Sequence, residues 1–267
     1  MNPRMLQDKN AVVFGAGGSI GAAIAKEFAA EGARVFLAGR TKASLQAVAK
    51  QIVADGGDAQ TAVLDVLEDA SVSQFVEGVV KQAGRIDIVV DVAGPLAKDY
   101  GNGKNAVDLS VEEFMVPLVT MVRSRFLTAR AAARAMIKQH FGVIILVTGS
   151  PARGHVPGAT AIGAAFGAME NLTENLAFEI SPLGVRVVCL RTLANADSRS
   201  IQDTMEFLAS QLPITKDQGI AQIAQSSLLK VPATVQDTAN AAVLIASDRA
   251  RMLTGTVVNA TAGAASD

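Results

Sequence analysis

Residues 10–32 read NAVVFGAGGSIGAAIAKEFAAEG, and they set a strand, a glycine turn and a helix in unbroken succession. Asn10–Phe14 is a short apolar run suited to an extended strand, and AAIAKEFAAEG has helical character. Between them lies Gly15-Ala16-Gly17-Gly18-Ser19-Ile20-Gly21. Glycines let a backbone turn tightly and approach a pyrophosphate, while the free N–H groups and dipole of a helix N-terminus favour an anion. Such a turn also occurs as plain packing. Its place directly after a first strand makes Gly15, Gly17, Gly18, Ser19, Ile20 and Gly21 a candidate dinucleotide-binding loop.

The rest of the chain supplies the context this reading needs. Short apolar runs alternate with helical patterns in ARVFLAG, LQAVAKQIVADGG, TAVLDV, VSQFVEGVVKQAG and RIDIVVDVAG. Ile86–Val90 and Val143–Val147 are continuously apolar, as strands covered by helices on both faces are. Helices are expected over about Val111–Gln139 and Thr160–Ile180, and the stretch VQDTANAAVLIASDRARMLTGTVVNATAG reads as a helix and a last strand returning to the sheet. The predicted fold is α/β, a Rossmann-type doubly wound parallel sheet. No linker, repeat or low-complexity tract divides the 267 residues, so a single domain over 1–267 is expected.

Composition narrows the function. Half the residues are hydrophobic, yet no apolar run is long enough to span a bilayer. The segment MNPRMLQDKN lacks the apolar core of a secretory signal, so a cytoplasmic location is expected. One cysteine, Cys189, and two histidines, His140 and His155, form no metal-site spacing. With net charge −1, no tryptophan and one tyrosine, the chain shows neither the basic stripe nor the stacking platform of a nucleic-acid binder. The expected ligand is a small molecule.

The second strand ends Ala38-Gly39-Arg40-Thr41. An acid here would bond the adenosine ribose hydroxyls of NAD and repel the extra phosphate of NADP. Gly39 stands at that place and Arg40 follows; a planar guanidinium suits a phosphate in a bidentate contact. NADP(H) is therefore expected ahead of NAD(H), against the plain alternative of a solvated arginine.

These segments resemble the short-chain dehydrogenase/reductase family over nearly the whole chain. The glycine loop is similar to the family's TGxxxGxG, with Phe14 for the threonine and Ser19 for the middle glycine. Leu64-Asp65-Val66 resembles the family's adenine-contacting aspartate segment, which implies Asp65 and Val66 beside the adenine. Asp91-Val92-Ala93-Gly94 is similar to NNAG at the end of strand four with both asparagines changed, and it implies cofactor contacts for Ala93 and Gly94. Val185–Leu190 and Gly255–Gly263 resemble the last two strands. The resemblance also implies a homodimer or homotetramer, paired through the long helices after strands four and five.

Members of the family use a tyrosine acid/base, a lysine four residues later, a serine and an asparagine. One helical turn sets the lysine beside the tyrosine and lowers its pKa. Alignment of NLTENLAFEI and FLTARAA on the family's helices puts the tyrosine at Ile162, the lysine at Phe166, the serine at Gly149 and the asparagine at Met121. A one-residue shift recruits Thr148 or Ser150. The proline-glycine after strand six is replaced by Thr192-Leu193. A positioned general acid contributes 10²–10⁴ in rate, roughly 3–5 kcal/mol, so ordinary ketone reduction should be crippled, and hydride delivery to an activated C=C bond less so.

Replacement acids are few. His155, in the loop after strand five, is the expected candidate because imidazole titrates near neutrality. Tyr100-Gly101-Asn102-Gly103-Lys104 matches YxxxK, but its two glycines argue for a loop rather than a shared helix face, either a plain surface loop or a substrate-side loop from which Tyr100 touches a ligand. Arg191 reads as a strand-end cation able to hold an acidic substrate, and Glu170 as a solvated or subunit-contact residue. Three functions stay open: a reductase-like protein running a non-standard hydride transfer, a catalytically silent NADP(H)-binding sensor or partner subunit, and a cleft that binds no nucleotide because Phe14 and Ser19 alter its loop.

Overall fold

The computed structural model describes residues 4–211 and 213–266. The first half follows the sequence pattern: β1 (Asn10–Phe14), α1 (Ser19–Ala30), β2 (Arg34–Gly39), α2 (Lys42–Ala54), β3 (Asp58–Val63), α3 (Asp69–Ala83) and β4 (Ile88–Asp91). Then come α4 (Val111–Pro117), α5 (Arg123–Gln139), β5 (Gly142–Gly149), α6 (Thr160–Ile180), β6 (Val185–Thr192), α7 (Arg199–Gln211), α8 (Lys216–Ser226), α9 (Val235–Ala246) and β7 (Thr256–Ala260). All seven strands pair in parallel in the order β3-β2-β1-β4-β5-β6-β7.

Side-chain alternation explains why the central strands are apolar throughout. Val12, Phe36, Ile144 and Val187 pack on one face with Val76 of α3, Met136 of α5 and Ile180 of α6. Val13, Leu37, Ile145 and Val188 pack on the other with Phe28 of α1, Leu45 of α2 and Val243 of α9. Successive residues point to opposite faces, so a strand buried on both must be apolar at every position.

Three boundaries differ from expectation. The third strand begins at Asp58, not Thr61, and ends at Val63. It is the sheet edge and half-exposed, so its burial leaves a weak apolar signature. The fourth strand is shifted to Ile88–Asp91 because Asp87, though buried, accepts from the Asn10 amide at 2.7 Å before the ladder begins. The helix expected over 111–139 is broken by a π-helical segment, Leu118–Val122, following Pro117. Proline removes a helix donor and crowds the turn before it, and wide π turns often mark functional positions.

The strand order reverses direction between β1 and β4, whose first crossovers go to opposite sides. In open parallel sheets a ligand crevice opens at the carboxyl ends beside such a reversal. Phe14 and Asp91 end the two strands there and are paired in register.

Candidate active site and dinucleotide cleft

At the β1 end the backbone is shaped for close approach. Gly15 has φ +79°, and a Cβ there would stand 2.8 Å from the Ala93 amide nitrogen. A Cβ on Gly21 would lie 2.4 Å from the Gly15 carbonyl oxygen. Both glycines are therefore required for β1, the β4 loop and α1 to meet. Gly18 occupies the N-cap of α1 with no side-chain hydrogen bond to the first turn, so the amides of Ser19 and Ile20 are left for an incoming acceptor. Gly17 abuts α2, where a Cβ would meet Ser44 Oγ. This cradle fits a pyrophosphate by shape and by donor set.

The neighbouring strand ends complete the cleft. Arg40, just past β2, is exposed and has no ion pair among the described residues. Asp65 is half-buried, and its Oδ1 accepts from the Leu67 amide at 3.0 Å. Val66 is buried below it. Asp91 is fully buried, with Oδ1 accepting from the Ala93 amide at 2.9 Å and Oδ2 from Thr128 at 3.0 Å. Gly94 faces Met121, whose Cε would lie 3.6 Å from a Cβ placed on the glycine.

Under this floor lies a buried cation. Arg125 of α5 is 1% exposed and sits 3.6 Å from Asp91, while its Nη1 donates to the Ala93 carbonyl and to Ser124 Oγ. Burial pulls its pKa below the ordinary guanidinium value, and the Asp91 charge opposes that shift. The loop that ends β4 is thus held from both sides, its amide by Asp91 and its carbonyl by Arg125.

At the nicotinamide end expected from the resemblance, Met121, Ile162, Tyr100, Ala159, Ala161 and Met169 form one buried apolar cluster, with Phe166, Leu109 and Phe114 packed against it. A Cβ on Gly149 would lie 2.9 Å from Phe166 Cε2. The phenyl ring and the missing side chain are complementary, so a serine does not fit at 149 while Phe166 stays where it is. Every residue aligned with the family's proton shuttle lies in or against this one patch.

Comparison with known proteins agrees with the architecture. The family described as "Enoyl-(Acyl carrier protein) reductase" matches residues 15–265. A short-chain reductase protein, NovJ of Streptomyces niveus, is 30% identical over 257 residues, covering 96% of this chain and 94% of its own. This chain belongs to the short-chain dehydrogenase/reductase family. Among solved structures, a short-chain dehydrogenase from Burkholderia cenocepacia in complex with NADP has a TM-score of 0.81 at 25% identity, covering 97% of this chain and 99% of its own. An NAD+-bound xylitol dehydrogenase shares the fold, with a TM-score of 0.85 at 23% identity over 97% of this chain and 99% of its own.

As a short-chain oxidoreductase, the protein departs in several places from what its sequence led us to expect. Glu170 is neither solvated nor placed for a subunit contact within this chain: it is 1% exposed and receives two hydrogen bonds from Arg191, Nε at 2.7 Å and Nη2 at 2.9 Å. Arg191 is equally buried and so is committed to this fork rather than open to an acidic substrate. A helix residue eight past Ile162 faces the same side as β6, which is why the two meet. Thr148 is drawn into the same group, 3.4 Å from Glu170 and 3.2 Å from Cys189 Sγ. That leaves Ser150, which is buried in the turn after β5, as the nearby hydroxyl.

Tyr100 is not on a surface loop. It closes a short 3₁₀ turn, Ala97–Tyr100, and is only 9% exposed. Lys104 pairs with Glu113 at 2.6 Å instead. His155 is exposed in the loop before α6 and makes no hydrogen bond among the described residues. No helix among them is long and apolar enough to cross a membrane, and no cluster there has a metal-binding set.

Sequence reading passed over α7 and α8. The first residue of α7 is tied to the glycine loop, since the Arg199 amide donates to Ser19 Oγ at 3.0 Å. Further along, Leu208 presses on Gly103, whose Cβ would be 2.4 Å from Leu208 Cδ2. Gly103 also donates to the Gly158 carbonyl at 2.9 Å. The loops after β4 and β5 and the helix α7 therefore meet at one point over the cleft. The signal for α7 was its amphipathic pattern SIQDTMEFLASQ, unaccompanied by any strand to mark its place.

Proposed function

We propose that this oxidoreductase uses NADP(H) and carries out hydride transfer in a cleft where hydrocarbon replaces the family's proton shuttle. The observation that carries the reading is the packing of Met121, Ile162 and Phe166 in one apolar patch with Phe166 against Gly149. A bound reduced nicotinamide would supply the hydride. The residues supply position and exclusion of water: the glycine loop and the α1 N-terminus hold the pyrophosphate, Asp65 and Val66 flank the adenine, and Ala93 and Gly94 line the floor.

Without a tyrosine–lysine couple at 162 and 166, a carbonyl oxygen gains no proton from α6. That favours a neutral substrate with a conjugated C=C bond, in which the hydride goes to carbon and the closing proton comes from the solvent side, where His155 is exposed on the loop that buried Ser150 begins. Preference for NADP(H) rests on Arg40 and on Gly39, which leaves no carboxylate to repel a ribose phosphate.

Oxidation of NADPH with a panel of enones and simple ketones tests the reading. Saturable turnover with enones and little with ketones is expected. NADPH binding with no turnover on any member would instead favour a silent sensor or partner subunit. Arg40→Ala should weaken NADPH by about tenfold or more and leave NADH nearly unchanged. Equal losses for both nucleotides would remove the assignment of Arg40. His155→Ala in the same assay reports whether the loop delivers the closing proton.

A further inference from the structure

We propose that Tyr100 is the substrate's hydrogen-bond donor, its hydroxyl meeting the carbonyl oxygen of a neutral, largely apolar ligand. The inference rests on the hydride-transfer reading and adds to it the group that holds the substrate.

Several observations converge. Tyr100 is the only tyrosine in the chain. It is nine-tenths buried in the same cluster as Met121 and Ile162, the residues aligned with the family's asparagine and tyrosine. Its ring is packed away, but its hydroxyl makes no hydrogen bond among the described residues and is not one of their enclosed unpaired atoms, so the oxygen is open to an incoming acceptor. The rest of the patch is hydrocarbon, from Met121, Ile162, Phe166, Leu109 and Phe114. Glu170 of α6 is taken up by buried Arg191 at 2.7 Å and by half-exposed Arg153 at 3.4 Å, and no charged side chain belongs to the patch itself. An anionic substrate would thus find no counter-charge in the patch, whereas a ligand with an apolar body and one acceptor oxygen matches it.

The loop is held firmly enough for such a role. Gly101 and Gly103 have φ of +60° and +94°, and Gly103 is clamped between Gly158 and Leu208. Lys104 is engaged by Glu113 and so is not the cation that would stabilise a phenolate. Burial, with Asp99 adding to it, pushes the phenol up to about 12. Tyr100 therefore stays protonated and acts as a donor in the way an oxyanion-hole group does. In the step this implies, the substrate's β-carbon takes the hydride pair from the reduced dinucleotide. The conjugated electrons move onto the carbonyl oxygen beside the Tyr100 hydroxyl, and the α-carbon then takes one proton from water. One dinucleotide is oxidised for each C=C bond reduced.

The absence of tryptophan makes the test direct, because intrinsic fluorescence belongs to Tyr100 alone. The full chain with NADP+ is titrated with cyclohexenone, which cannot be reduced in that complex. A saturable change in tyrosine emission is expected, and Tyr100→Phe should bind the probe about tenfold more weakly by calorimetry while binding NADPH as the parent does. Turnover of the same enone should fall about 100-fold. Lys104→Gln should leave the tyrosine signal and probe affinity intact. Equal probe affinity in the parent and Tyr100→Phe, or no response of the tyrosine, overturns the proposal. Probe binding that depends on Tyr100, with no turnover, would sustain it as a binding role and reject the hydride-transfer reading. Thermal unfolding of each variant confirms that it is folded.

Discussion

Glu170 shows how far a single residue can be misplaced by its type. A glutamate on a helix is normally solvated, and only the fold reveals that this position looks inward at β6, where Arg191 waits. Removing one partner of such a pair leaves a buried charge uncompensated. Glu170→Ala should therefore cost about 3–5 kcal/mol in urea-induced unfolding, whereas the double change Glu170→Leu with Arg191→Met should cost much less. A single-variant loss near zero would mean that water reaches Arg191 freely. Tyr100 was misjudged for the opposite reason: its glycine neighbours spoke for a loop, correctly, but a loop can be folded over a cleft and bury its side chain. The glycine turn was legible because its constraint is local. Gly15 and Gly21 are needed for backbone contacts between chain segments near in sequence or adjacent in the sheet.

At the scale of elements, the strands and most helices were visible because both faces of the sheet demand apolar residues in long unbroken runs. What was not visible was the cover. α7 packs on α8 and on the loop after β4 rather than on the sheet, so its apolar stripe, though plain, has no strand beside it to say where it docks. Its two attachments, Arg199 to Ser19 and Leu208 to Gly103, are long-range contacts that no local pattern encodes. One of them touches the glycine loop directly, so a dinucleotide bound there should steady the helix. Backbone hydrogen exchange over residues 199–211 is expected to slow when NADP+ is added, while exchange in α3, on the far side of the sheet from α1, stays as it was. Unchanged exchange in α7 would show that the cover is indifferent to the cofactor. The π-helical break at Leu118–Val122 was likewise hidden, although Pro117 stood next to it.

At the scale of the whole molecule, two groups among the described residues with upward-shifted acid dissociation share one consequence. Tyr100 is raised from 10.0 to about 12 and Cys189 from 9.0 to about 12, in both cases chiefly by burial. Each keeps its proton in the folded state at a pH where the unfolded chain has lost it. Their contribution is complete below pH 9 and declines as pH rises through 9 to 12, because the unfolded state then binds fewer protons. The midpoint of thermal unfolding should accordingly fall over that range, and Tyr100→Phe should fall less steeply. A flat profile would show that these groups are solvated in the native protein.

Cys189 offers one more use of the same architecture. It is fully buried on β6, between β5 and β7, and it is the chain's single thiol. A maleimide can reach it only when the sheet itself comes apart, so the speed of labelling is a clock for global opening. Any small molecule that occupies the cleft and slows that clock discloses itself in a crude mixture, with no knowledge of the reaction and no purified substrate.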